Sequence, residues 1–92
     1  MTQLRHVADV KPTVLDGQRV FHHVEAHGDD LLRLGSLDHT KWIECDLSDT
    51  TWPKTLHEVT LVDCDLRNSV WDLEEGENIK ILGTKRIRIS VK

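Results

Sequence analysis

The run His22-His23-Val24-Glu25-Ala26-His27 has the residue types of a metal site. On an extended strand alternate residues share a face, so His23, Glu25 and His27 form a comb of imidazole and carboxylate donors. Such a set suits zinc or a similar ion, with a fourth donor such as His22 or His39 supplied from elsewhere. The plainer reading is a solvated strand face whose histidines titrate near neutral pH. It is the one adopted, so no metal and no cofactor are expected. Cys45 and Cys64, with His39 and His57, offer a second chemistry, the activated thiol. A nucleophilic thiol must be accessible and have a lowered pKa. Glu44, Asp46, Asp63 and Asp65 flank both cysteines and would raise it. The chain has no glycine loop for phosphate and no serine-nucleophile signature, so the expectation is a protein that is not an enzyme.

The carboxylates carry more. The 92 residues have a formal net charge of −4, unevenly spread: residues 44–77 hold ten acids against Lys54 and Arg67. Residues 78–92 hold Lys80, Lys85, Arg86, Arg88 and Lys92 with no acid. Such asymmetry bears on partners rather than on fold. Five bases without an aromatic platform give at most weak, salt-sensitive contact with phosphate, so direct nucleic-acid binding is not expected.

What must position these groups is a repeat. "TKWIECDLSDTTW" returns nineteen residues later as "VTLVDCDLRNSVW", laying Cys45-Asp46-Leu47 over Cys64-Asp65-Leu66 and Trp52 over Trp71. Cut into fives the chain reads GSLDH, TKWIE, CDLSD, TTWPK, then, after TLHE, VTLVD, CDLRN, SVWDL. The third residue is always large and apolar: Leu37, Trp42, Leu47, Trp52, Leu61, Leu66, Trp71. The first is always slender: Gly35, Thr40, Cys45, Thr50, Val59, Cys64, Ser69. A single coil cannot bury both its faces, so a copy with the same inward residues stacks on it.

The quintets resemble the pentapeptide-repeat family, whose unit is a small residue, Asp or Asn, Leu or Phe, then two polar positions. "CDLSD" and "CDLRN" match it closely over a repeat running from Gly35 to Leu73. The resemblance implies a right-handed quadrilateral β-helix with the first and third residues inward. It departs from the family in its nineteen-residue spacing, its three tryptophans at central positions, and a short quintet at "TLHE". A second resemblance is to leucine-rich-repeat solenoids: "LHEVTLVDCDL" (56–66) fits their phrase and requires Leu56 inward. The fold expected is mostly β, a short solenoid of about two coils. An N-terminal β-hairpin caps one end and a C-terminal edge strand the other.

The hairpin is signalled by Asp16-Gly17 between β-prone runs, which predicts strands near 12–15 and 18–26. No stretch sustains a 3.6-residue period, so helix should be minor. Ile87, Ile89 and Val91 alternate with polar residues as the edge strand. The whole is one domain: hairpin cap 1–34, repeat 35–74, C-terminal cap 75–92. The two cysteines read as buried small hydrophobes, although stacked coils would bring them close enough for a bridge.

With no apolar run long enough to span a membrane and no signal-like opening, a cytoplasmic location is expected. The expected function is a binding module whose acidic face, Glu44, Asp46, Asp49, Asp63, Asp65, Asp72, Glu74 and Glu75, docks on a basic protein surface. The pentapeptide-repeat resemblance sharpens this to a DNA-mimicking inhibitor of a nucleic-acid-binding enzyme, of the kind phages and plasmids carry. The other reading is a scaffold or homodimer using an apolar solenoid end or an aromatic ridge of Trp52 and Trp71.

Overall fold

The structure is a computed structural model that describes residues 4–83 and the backbone of 87–91. Among the described residues nine strands follow in order: β1 (Arg5–His6), β2 (Thr13–Leu15), β3 (Gln18–His22), β4 (Val24–Glu25), β5 (Thr40–Ile43), β6 (Thr55–Val62), β7 (Leu66–Trp71), β8 (Glu75–Leu82) and β9 (Ile87–Val91). The structure is mostly strand, 54%, and among the described residues helix is confined to two 3-10 turns, Val7–Asp9 and Leu32–Leu34.

These strands wind into a β-solenoid of about four turns. Residues one coil apart pair in parallel: Arg19 with Thr40, Thr40 with Val59, Val59 with Ile79. On the next side of the coil Glu25, Asp46 and Asp65 bridge in succession, and further on Thr51 bridges Val70. The coils are therefore 21, 19 and 20 residues long, read directly from the pairs Arg19–Thr40, Thr40–Val59 and Val59–Ile79. β2 pairs with β3 antiparallel across the Asp16-Gly17 turn, which lays the hairpin on the first coil. β9 adds to β7 in parallel.

The coil count exceeds the two expected because the repeat begins at Arg19, not at Gly35. "RVFHH" and "VEAHG" are quintets of the first coil, with Phe21 over Trp42 and Val24 and Ala26 fully buried. Val24 and Ala26 replace the Cys and Leu of later coils, which disguised them. "NIKIL" is likewise a fourth row on β6 rather than a separate cap. The expected strand 18–26 is interrupted at His23, whose φ is 53°. The short quintet is also displaced. Leu56 pairs with Gly76, so "KTLHE" is complete with Leu56 buried at its centre, and the residue is missing from "TTWP".

All seven central residues from Leu37 to Trp71 are buried, as are six of the seven slender ones; Gly35 is exposed. Burial of these rows is the principal stabilising term, about 25 cal/mol per Å² of apolar surface. One device recurs at "LDHTKW", "LSDTTW" and "LRNSVW". The hydroxyls of Thr40, Thr50 and Ser69 donate to the carbonyls of Leu37, Leu47 and Leu66 at 2.6, 2.6 and 2.8 Å. The indole N–H groups of Trp42 and Trp71 then donate to Thr40 and Ser69, both at 3.1 Å. A buried carbonyl and a buried indole are thus satisfied by one hydroxyl.

Candidate functional site

The outward groups are set by the corners of the coil. His23, Glu44, Asp63 and Gly83 form one corner column, with φ of 53°, 51°, 52° and 66°. Gly28, Asp49 and Asn68 form a second, and His39, Glu58 and Asn78 a third. All but Gly28, Asn78 and Gly83 stand immediately before a buried slender residue, in the fifth position of their quintet. A positive φ favours Gly, Asn, Asp and His, and these types fill eight of the ten places. Asp49 and Asp63 therefore serve backbone geometry as well as contributing charge, whereas Glu44 holds the same conformation without being a favoured type.

The second quintet position has its own local role. Asp46 Oδ1 accepts from the backbone N–H of Ser48 at 3.1 Å and from its hydroxyl at 2.7 Å. Asp65 Oδ1 accepts from the backbone N–H of Arg67 at 3.1 Å. Each aspartate closes a turn two residues ahead, a use for which Asp and Asn are suited.

The eight acids of the expected face do not share one side. Glu44 and Asp63 occupy a corner, Asp46 and Asp65 the adjoining side with Glu25 beneath them, and Asp49 the next corner. Asp72, Glu74 and Glu75 lie beyond Trp71, where Glu74 and Glu75 lead into the side that carries His57. Several have a basic side chain beside them. Arg67 grips Asp65 with two nitrogens, Nε to Oδ1 at 3.0 Å and Nη2 to Oδ2 at 2.7 Å. Lys54 lies 3.6 Å from Glu74, and His23 lies 3.4 Å from Glu44. Exposed pairs of this kind contribute little, because solvent screens them.

His57 sits between two carboxylates, Nδ1 at 3.2 Å from Asp38 and Nε2 at 3.0 Å from Glu75. Its backbone N–H also donates to Asp38 at 2.9 Å. Hydrogen bonds to Asp38 and then Glu75 raise its pKa above 6.5. Burial pushes the Asp38 carboxyl up, but the bonds from His57 outweigh it and hold it below its ordinary value.

The comb of His23, Glu25 and His27 does not form. The left-handed corner at His23 turns its ring toward Glu44, and Asp46 of the next coil joins Glu25 and His27 instead. The donor atoms of Glu25, His27 and Asp46 all lie within 4.8 Å of one another. His22 stacks beside His23, and His39 occupies the third corner column. Sequence reasoning missed Asp46 because a strand-only period cannot see across coils. The register of 21 residues between Glu25 and Asp46 was hidden until "VEAHG" was recognised as a quintet. His27 Nδ1 lies 2.7 Å from the Ser48 carbonyl, and this bond, offset by burial and aided by Asp46 and Glu25, raises the pKa of His27 above 6.5.

Trp52 and Trp71 form no exposed ridge. They are 2% and 4% exposed and stack on each other inside the coil, centroids 4.4 Å apart. Their size demands burial, and the central quintet position provides it. Cys45 and Cys64 are free and buried. Their thiols donate to backbone carbonyls, Cys45 to Ile43 at 3.3 Å and Cys64 to Trp42 at 3.3 Å. The neighbouring Cys45 thiol, together with burial, pushes the Cys64 thiol far up, which disarms it as a nucleophile. The bases Lys85, Arg86, Arg88 and Lys92 lie, by their side chains, outside the described residues. Among the described residues no helix is long and apolar enough to cross a membrane. Compared with family models, with curated proteins and with solved structures, the chain finds no match.

Proposed function

We propose that this chain is a non-enzymatic, cytoplasmic protein-binding module that docks through its carboxylate-rich side on a basic surface of a protein partner and blocks it. The observation that carries the reading is the stacking of like charge. Glu25, Asp46 and Asp65 succeed one another at the coil spacing of about 4.8 Å, beside the corner column of Glu44 and Asp63. Like charges directly opposite are destabilising; Arg67 already meets Asp65, and a basic partner would meet the carboxylates of the column and corner that no arginine or lysine among the described residues grips. Asp49 continues the surface; Asp72, Glu74 and Glu75 lie round the coil and take no part.

The stacked coils of about twenty residues, with three columns of left-handed residues, are compatible with the pentapeptide-repeat likeness. A DNA-mimicking inhibitor is the narrower version. Three carboxylates in a column span about 10 Å, three base steps at about 3.4 Å each, which favours a short basic segment over a long duplex groove.

The test is capture of partners by the wild-type chain and by a Glu44→Gln, Asp46→Asn, Asp63→Asn triple variant at low and high salt. Loss of capture in the variant and at high salt is expected. Capture indifferent to both overturns the reading. Competition by duplex DNA for a captured partner marks the narrower version. A second reading, a homodimer, is favoured by β8, the last strand of its sheet, which bears Leu82 at 51% exposure. It predicts a salt-insensitive dimer at micromolar concentration in sedimentation.

A further inference from the structure

His27 and Asp46, the neighbours of Glu25, have their unused atoms fixed from behind. His27 Nδ1 lies 2.7 Å from the Ser48 carbonyl, which accepts only if that nitrogen carries the proton, so Nε2 presents its lone pair outward. Asp46 Oδ1 is held by the Ser48 N–H and hydroxyl, which leaves Oδ2 aimed at His27 Nε2, 3.9 Å away. Glu25 Oε2 lies 4.0 Å from the same nitrogen. One buried residue, Ser48, thus orients two of three donors from behind. Metal-binding histidines and carboxylates are supported in this way by carbonyls and hydroxyls behind them.

We propose that Glu25, His27 and Asp46 bind one divalent transition-metal ion, zinc above all, which clips the first coil to the second. Donors about 2.1 Å from a tetrahedral zinc lie about 3.4 Å apart. The 4.0 Å gap closes by a turn of the Glu25 carboxylate, whose side chain is 40% exposed, and the 3.9 Å gap between His27 and Asp46 by a small rotation of those two side chains. An imidazole with two carboxylates suits zinc, whereas magnesium and calcium seek all-oxygen shells. Water completes the coordination from the open side. Without the ion the same geometry accommodates a proton on Nε2, placing an imidazolium between two carboxylates. Proton and metal exclude each other there. The rival clusters are occupied: His57 already bonds both its carboxylates, and the two cysteines are buried. The inference does not depend on the docking reading, since ion binding is measured on the isolated chain.

The test is a zinc titration of tag-free protein by calorimetry on the alkaline side of neutrality, followed in parallel by NMR of the imidazole nitrogens. One ion per chain is expected, with the His27 Nε2 resonance displaced and that of His57 unmoved. His27→Gln and Asp46→Asn should each weaken binding at least about tenfold, and Ser48→Ala several-fold, through loss of its hold on Asp46. His23→Gln should leave it unchanged. Circular dichroism establishes that each variant is folded. The absence of saturable binding overturns the proposal, as does undiminished binding in His27→Gln or a thiolate charge-transfer band with cobalt. Should His27→Gln not fold, the wild-type chain still decides: a His27 ring unmoved at saturating zinc overturns it.

Discussion

Trp71 lies on Trp52 inside the coil, and in the same two turns Asp65 lies on Asp46 outside it. Both are like stacked on like, since a solenoid repeats whatever its quintet contains. Inside, repetition is favourable: apolar rows seal each other, and offset aromatic pairs add about 0.5–1.5 kcal/mol beyond burial. Outside, repetition sets charge on charge, and each instance is met locally, Asp65 by Arg67 and Asp46 by Ser48. The inner rows hold the fold, while the outer rows are tolerated by it and available for binding. This division is what substitutions test.

The sharpest break comes at the inner stack. Trp71→Ala should cost about 3–5 kcal/mol, by lost burial and a cavity under Trp52, measured by urea denaturation. Next comes the hydroxyl device. Thr40→Val leaves both the Leu37 carbonyl and the Trp42 indole without a partner, at a cost of about 2–3 kcal/mol. Thr50→Val should cost clearly less. Thr50 serves only the Leu47 carbonyl, and the Trp52 indole nitrogen is buried with no partner among the described residues. Equal costs would mean that Trp52 finds its hydroxyl after all. By the same logic Trp52→Phe should be milder than Trp42→Phe.

A smaller effect separates geometry from charge outside. Glu44 holds a left-handed conformation that Gly adopts without penalty. Glu44→Gly should stabilise by about 0.5–1 kcal/mol, while Glu44→Gln, which removes charge alone, should change stability less. The converse holds two coils along in the same column, where a Cβ at Gly83 would run into the Asp63 carboxylate. Gly83→Ala should destabilise by about 1–2 kcal/mol. If both glutamate variants behave alike, the corner is unstrained and Glu44 stands there for its charge.

The inner rows were legible in the sequence because hydrophobic size is chosen by burial alone. Every large residue from Leu37 to Trp71 in the central column obeyed it, and the coil spacing of Cys45 and Cys64 followed. Coils one and four were hidden where small residues fill the rows: Ala26 stands for Leu47, and Gly76 pairs with Leu56. The outer groups were legible as charges but not as neighbours. His27 meets Asp46 only through a register of 21 residues, which the nineteen-residue phrase did not announce. The fifth quintet position had a signal of its own, a run of His, Glu, Asp and Asn before each slender residue. A polar residue that tolerates positive φ is readily mistaken for one selected for charge.

The last prediction concerns His57, whose ring joins Asp38 of one coil to Glu75 of another through the outside of the wall. Its pKa is raised in the fold above 6.5, so the stabilisation is complete below 6.5 and is lost as pH rises through the folded value. Asp38, held low, contributes above its unfolded value of 3.8 and loses that contribution as pH falls through the folded one. Melting temperature should therefore be highest on the acid side of neutrality and decline toward alkaline pH. His27, raised likewise, adds to the same decline, so the measurement is made with chelator present to keep metal from the first coil. His57→Gln should flatten the slope by its share while leaving the acid limb from Asp30, whose backbone bond to His27 keeps its carboxyl low. An unchanged slope in His57→Gln would mean that the charged ladder crossing the coils contributes nothing. The outer rows would then be passengers on the inner ones.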